Sequence, residues 1–319
     1  MKTTSIVIPN WNGKALLAKY LPSVINAAKQ LGSNLKEIIV VDDGSTDNSA
    51  EFVIQNFPSV KILRHEKNIG FHRAVNSGFK ASTGKIVILL NSDIEPEQNA
   101  FTTLVPHFKD PLLFGVSGRI YAEDKKTFLY GNRGGYFKHG HFSLAEKDEY
   151  ATSQNLFVCG GGGAFSREKF LTLGGFDTLY YPFYYEEQDV SYRALKRGWH
   201  IAYEPKSLMY HEIRGSIGKK MKNKKISYIS ARNNYLFAIK NITDLNYTVQ
   251  MLFFIPIFLL RDISKLKFRF WIAFIMAIPR IPQAVIKRFK EQAFFAKKDK
   301  DIFLQVNPCQ TERISHNPL

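Results

Sequence analysis

Through the first hundred residues, short runs of consecutive apolar side chains alternate with stretches where apolar positions recur every three or four residues. The run at 5–8 (SIVI) predicts a buried strand, and 16–31 has helical spacing despite Pro22 near its start. A second run, EIIVV at 37–41, is followed by DDGSTD and a helix to about residue 57. A third strand is expected at 60–63, a helix at 71–81 and a fourth strand, IVILL, at 86–90. The strand runs are continuous, not alternating, as in strands buried on both faces. The predicted class is therefore α/β, with a mostly parallel central sheet and right-handed crossovers.

Beyond residue 110 the pattern loosens. Residues 110–165 are rich in Gly, Tyr and Phe, and then come CGGGGA at 159–164 and GGFD at 174–177. Residues 186–198 read as a helix with Val190, Ala194 and Leu195 inward, and 207–210 as a short strand. The tail differs again. Apolar runs of about a dozen residues each, 249–260 and 270–281, are separated by a base-rich segment and interrupted by Pro256 and Pro279.

Composition adds one thing to this picture, the location of charge. With 45% hydrophobic and 23% charged residues the chain is ordinary for a globular protein. Its +16 net charge is lopsided: residues 1–205 carry 23 Lys+Arg against 21 Asp+Glu, and 206–319 carry 21 against 7. A basic surface of that kind seeks phosphates, in lipid headgroups, nucleic acid or a substrate. Cys159 and Cys309 have no metal-ligand spacing, and a reducing compartment is expected. The opening MKTTSIVIPNWNG has no signal-peptide core.

In open α/β sheets, ligands bind beyond the carboxyl ends of the strands. Here those ends carry Pro9-Asn10-Trp11-Asn12-Gly13, then Asp42-Asp43-Gly44-Ser45-Thr46-Asp47, then Asn91-Ser92-Asp93. Any one of them makes a serviceable turn or helix cap. Three together on one crevice point to a ligand site.

IVIPNWNG, VVDDGSTDNS, NIGFHRAVNSGFKASTGKIVILLNSD, GGFD and EEQDVSYRALKRGW, in that order between about residues 3 and 218, resemble family 2 glycosyltransferases of the GT-A fold. The pattern is nearest the rhamnosyltransferase-like bacterial members. The resemblance implies an inverting, metal-dependent transfer of a sugar from a nucleotide-diphosphate donor (dTDP-, UDP- or GDP-linked) to a hydroxyl of a glycan. It also implies site roles. Pro9, Trp11, Asp42, Asp43, Asn68, Gly70 and Asn91 would bind the donor, the first acid of the Asp42–Asp43 pair reading the base and Trp11 packing on it. Asn91-Ser92-Asp93 matches the family's Asp-x-Asp motif with Asn in the first place; Asp93 and His211 would hold Mn2+ or Mg2+. Aligned on Arg193, Glu186-Glu187-Gln188-Asp189 replaces the usual Glu-Asp-x-Asp, which makes Glu187 the expected base and Asp189 the fallback. Gly161, Asp177 and Glu186 fall on the acceptor side, and Arg214, Lys219 and Lys220 would add positive charge over the phosphates.

Two parts are thus expected: a transferase domain, 1–218, and a basic helical extension, 219–319. Twelve-residue apolar runs are short of the ~20 residues that span a bilayer. An interfacial attachment fits them, with Lys and Arg at headgroups and Phe and Trp in lipid; the bland alternative is a helical subdomain packed on the core. The expected location is the cytoplasmic face of the inner membrane, peripheral or monotopic, with a lipid-linked glycan as acceptor. Rival readings are a polyprenyl-phosphate glycosyltransferase, which needs no strong base, and a non-enzymatic basic protein binding nucleic acid or membrane. The near-neutral first two-thirds and the absence of any nucleic-acid motif argue against nucleic acid.

Overall fold

The computed structural model describes residues 2–212, 223–264 and 268–307. In chain order the elements are β1 (Thr4–Asn10), α1 (Lys14–Lys29), β2 (Leu35–Asp43), α2 (Ser49–Asn56), β3 (Val60–His65), α3 (Phe71–Ala81), β4 (Ile86–Leu90), β5 (Ile94–Pro96) and α4 (Ala100–Leu104). Then follow β6 (Leu113–Ala122), β7 (Phe128–Tyr130), β8 (Arg133–Lys138), β9 (His141–Glu146), β10 (Ser153–Gln154), β11 (Gly162–Ser166), α5 (Arg167–Thr172), α6 (Glu186–Lys196) and β12 (His200–His211). The tail forms α7 (Asn223–Asn241), α8 (Leu245–Ser264), α9 (Arg269–Ala277), α10 (Ile281–Gln292) and α11 (Asp299–Val306).

One ten-stranded sheet runs β10-β12-β6-β11-β4-β1-β2-β3, with β5 on β12 and β7 on β6; β8 and β9 form a separate hairpin. From β3 to β4 the pairing is wholly parallel, so the carboxyl ends of β1, β2 and β4 share one edge. β11 runs antiparallel between β4 and β6, with Gly162 opposite Leu90. That reversal puts the glycine-rich start of β11 beside the end of β4. β12 is parallel to β6 and brings His211 opposite Ile94 of β5.

Burial on both faces explains the continuous apolar runs. Val7, Val41, Val87 and Leu89 face one core with Val75 and Phe79 of α3, whereas Ile6, Ile8, Val40 and Ile88 face another with Leu17 and Leu21 of α1. The strand expected at 207–210 is longer, His200–His211. A register shift between Glu204 and Leu208 lets pairing with β6 continue past the polar residues that hide it in the sequence.

The predicted boundary at residue 218 lies outside the described residues. The helices that follow share the sheet's core: Phe237, Ala238, Ile302, Phe303 and Val306 belong to the cluster that holds Val7 and Val87. The second apolar run is also not confined to a dozen residues. Arg269–Gln292 is one 24-residue helical stretch, long and apolar enough by length and composition to cross a membrane. Pro279 and Pro282 do not break it because each stands in the first turn of a new helical segment, where no intrahelical N–H is needed. Packing on the core is one-sided. Leu245, Val249, Leu252, Phe253, Leu260 and Ile263 form an exposed stripe on α8.

Candidate active site

At the shared strand edge, Asn10 and Asp42 are register partners, and the Asn10 amide donates to Asp42 Oδ1 at 3.2 Å. Asp42 is buried with its other oxygen 3.4 Å from the Ser45 backbone N–H. Asp43 faces the other way. It accepts from the backbone N–H groups of Ile69 and Gly70 and lies 2.8 Å from His65 Nδ1. Its carboxylate therefore fixes the loop carrying Asn68, which is exposed, and Gly70. Gly44, at φ +69°, presses against the backbone of Lys67 and Asn68, an approach that a side chain would block. Pro9 lies buried in β1, and Trp11 stands at the rim with 40% of its surface exposed. The strand ends thus gather the residues expected to bind the donor, with Asn91 at the end of β4.

Asn91 is tied to the glycine cluster: its N–H donates to the Gly161 carbonyl at 3.4 Å. A Cβ on Gly161 would lie 3.2 Å from the Asn91 amide nitrogen and 3.7 Å from the Tyr130 hydroxyl. Next to it, Asp93 Oδ1 lies 3.3 Å from His211 Nε2. The far imidazole nitrogen, Nδ1, lies 2.6 Å from the Tyr130 hydroxyl. Burial first, then the charges of Cys159, Asp93 and Glu187, push the Tyr130 hydroxyl far up, so it stays protonated. Asp93 Oδ1 is a buried oxygen with no hydrogen-bond donor. An orphaned carboxylate oxygen beside an imidazole oriented from behind fits a divalent cation. Among the described residues no third carboxylate, imidazole or thiol joins the pair.

Glu187 adjoins the same glycine run. A Cβ on Gly160 would lie 2.5 Å from Glu187 Oε1, so the carboxyl rests directly on that backbone. Burial and then the charge of Glu186 push the Glu187 carboxyl well above the usual carboxylate range. Glu186 itself is buried, with Oε2 3.4 Å from His72 Nε2, and neither group has a conventional hydrogen bond at those atoms.

The other acids of this region point elsewhere. Asp189 is fully buried on the inner face of α6, and its carboxylate takes hydrogen bonds from Tyr180, Arg193, Lys240 and Asn241. Asp177 receives Lys240 and Lys287, both at 2.7 Å, and caps the turn at Leu179. The structure therefore sets Asp177 and Asp189 in an ion-pair network with Arg193, Lys240 and Lys287, and does not leave them free beside Glu187. Arg214, Lys219 and Lys220 lie outside the described residues, as does Cys309. Cys159 is a buried thiol pushed up to about 12 by burial and Glu187.

Several contributors escape a reading of motifs. Tyr130 sits on a three-residue edge strand in the irregular region, and Lys240 belongs to the tail. His72 alone could have been noticed, as a histidine on the apolar face of a predicted helix.

The sequence model of a family described as "Glycosyl transferase family 2" matches residues 5–174, just over half of the chain. Among solved structures, GalNAc-T7 with UDP, GalNAc and Mn2+ is similar at TM-score 0.58 and 21% identity, over 78% of this chain and 49% of that one. This chain thus spans about half the length of GalNAc-T7. The mannosyltransferase PcManGT from Pyrobaculum calidifontis, in complex with GDP-Man and Mn2+, matches at TM-score 0.56 and 16% identity, over 92% and 75%. S. aureus TarS 1-349 with UDP-GlcNAc matches at TM-score 0.57 and 15% identity, over 96% and 90%. At these identities the likeness is one of fold, the GT-A fold.

Proposed function

Because the chain belongs to glycosyl transferase family 2, we propose that it moves a sugar from a nucleotide-diphosphate donor to a hydroxyl of a glycan, by single displacement with inversion. The observation that carries this reading is that one glycine run adjoins both candidates: Glu187 Oε1 rests on Gly160, Gly161 accepts from the Asn91 N–H, and, two residues on, Asp93 Oδ1 lies 3.3 Å from His211 Nε2. The leaving diphosphate belongs at Asp93–His211 and the acceptor hydroxyl at Glu187. In this reading the acceptor oxygen attacks the anomeric carbon, the bond to the diphosphate oxygen breaks, and the acceptor's proton passes to Glu187. Asp42 and Trp11 hold the base, and Asp43 keeps the 65–70 loop in place around the donor. Asp93 and His211 would hold Mn2+ or Mg2+, which supplies charge neutralisation on the departing diphosphate.

A thermal-shift screen of UDP-, dTDP- and GDP-sugars, with and without Mn2+, tests the donor half. Stabilisation by one nucleotide class should require the ion and disappear in Asp93→Ala. At a hundredfold excess over Kd that stabilisation amounts to about 2.7 kcal/mol. A folded wild-type protein that no nucleotide sugar stabilises would overturn the reading.

The acceptor proposed is lipid-linked, in cell-surface polysaccharide synthesis, met at the cytoplasmic face of the inner membrane. The exposed stripe of α8 and the apolar stretch 269–292, beside the basic excess of the tail, support a monotopic attachment. Leu252→Asp with Phe253→Asp is expected to lower binding to phosphatidylglycerol-containing vesicles at least tenfold, since each apolar side chain withdrawn from lipid gives up about 1.5–3 kcal/mol. Both side chains are more than 60% exposed, so the fold should be unaffected. Unchanged sedimentation with vesicles would remove α8 from the contact.

A further inference from the structure

Residues 180–185 precede α6 and carry two large aromatic side chains that remain open to solvent: Tyr181 is 45% and Tyr184 39% exposed. Both adjoin the machinery described above, one by contact and one along the chain. The Tyr181 ring edge packs on Gly70, with Cε2 2.8 Å from where a Cβ would stand. Tyr184 stands two residues before Glu186 and three before Glu187, at the turn that opens α6. Phe183 braces the Tyr184 ring edge-on, with centroids 4.9 Å apart.

The backbone here is held in a conformation that it would not choose. Tyr184 and Tyr185 both have positive φ, +70° and +79°, the left-handed region that bulky side chains avoid. The tail enforces it. Asn233 donates to the carbonyls of Tyr180, Phe183 and Tyr184. Arg232 donates to the Tyr181 carbonyl at 2.7 Å, and Arg280 to those of Leu179 and Tyr181. Asn234 donates to the Tyr185 hydroxyl at 2.6 Å. Strain so heavily over-determined next to a catalytic carboxyl serves display rather than packing.

We propose that Tyr181 and Tyr184 form the acceptor platform, on which the pyranose ring that presents the attacking hydroxyl stacks through its C–H face. This assignment rests on the transferase reading above and names its acceptor class, a sugar ring rather than a lipid phosphate. A pyranose has one face of C–H bonds ringed by hydroxyls, and an aromatic ring offers a negative π face with a polar tip. Among the described residues, the two arginines that reach this loop donate to its backbone carbonyls and so hold its shape.

Saturation-transfer NMR with methyl glucoside, galactoside, N-acetylglucosaminide and rhamnoside, in the presence of a stabilising nucleotide, tests it without turnover. Transfer to ring C–H protons of at least one pyranoside is expected, retained in Tyr184→Phe and lost in Tyr184→Ala. In turnover assays on that pyranoside, Tyr184→Ala should raise the acceptor KM about tenfold or more. Slow hydrolysis of the donor by water, which needs Glu187 but no platform, should stay within twofold. Equal loss of hydrolysis and transfer in Tyr184→Ala, or saturation transfer that survives it, would overturn the platform. Nucleotide binding with no pyranoside contact would also overturn it, yet leave the donor site standing. Failure of all nucleotide binding would instead be a failure of the underlying reading, and the platform would fall with it.

Discussion

Glu187→Gln should lower kcat for sugar transfer by about 10³-fold, near the middle of the range for a positioned general base, while nucleotide-sugar binding stays within twofold. The amide keeps the side chain's size and its seat on Gly160 but cannot take the acceptor's proton. The pH dependence sharpens this expectation. A carboxyl general base must act as its carboxylate, and burial and Glu186 hold the Glu187 carboxyl well above the usual range. Activity should therefore rise with pH along a limb displaced upward from that of an ordinary Glu. Removing the second cause by Glu186→Gln makes deprotonation easier, so the limb should move to lower pH. A pH–kcat profile of the two proteins checks the sign; movement upward, or none, would show that Glu187 is not the titrating base. A loss under tenfold in Glu187→Gln would favour an acceptor that needs no deprotonation, such as a lipid phosphate.

The largest stability effect should come from Lys240→Met. Lys240 is 2% exposed at its side chain and stands between Asp177 at 2.7 Å and Asp189 at 2.8 Å, both buried. Leaving two carboxylates in a low-dielectric interior without that partner costs about 3–5 kcal/mol, or on the order of 5 °C in Tm for a chain of this length. Burial alone would raise both acids, but Lys240 and Lys287 outweigh it at Asp177, as Arg193 and Lys240 do at Asp189, and both are held below the usual range. Their native pKa values thus lie below the unfolded ones. The stabilisation is fully present above the unfolded value near 4 and is lost as pH falls through the native values. The gap between variant and wild type should accordingly be wide at pH 7 and narrow below pH 4, where protonation also relieves the variant. Urea unfolding at the two pH values measures it. An equal gap at both would mean that lost packing, not charge, is responsible.

The parallel half of the sheet was legible because its signal is local. Strands β1, β2 and β4 are unbroken apolar runs, and the polar clusters that follow them must lie together once the strands are parallel. The gathering of these clusters on one edge was therefore legible from spacing, whereas their assignment to a donor came from the family resemblance. What escaped was set by long-range pairing. β12 is cut in the sequence by polar residues that a register shift absorbs. Tyr130 reaches His211 only because β7 folds back on β6. For Asp177 and Asp189, motif position pointed to substrate, whereas their partners Lys240 and Lys287 lie 51 to 110 residues downstream, outside the apolar runs that drew attention in the tail. Sequence periodicity reports that a face is apolar, but not what covers it; in the tail, protein covers one side and the stripe on α8 is exposed.

The hold of Asn233 on three carbonyls of the 180–185 loop makes that loop's shape heritable from elsewhere. Its tyrosines are encoded before α6, but their orientation is encoded in α7, beyond any boundary that sequence comparison would draw at the end of β12. A chimera joining this chain's first 212 residues to another protein's tail would keep every motif of the strand edge and exchange the mould that sets the loop. Grafting the loop with residues 232–234 and Arg280 would move the mould along with the casting. Acceptor choice in such hybrids should follow the donor of those four positions, not the donor of the loop sequence.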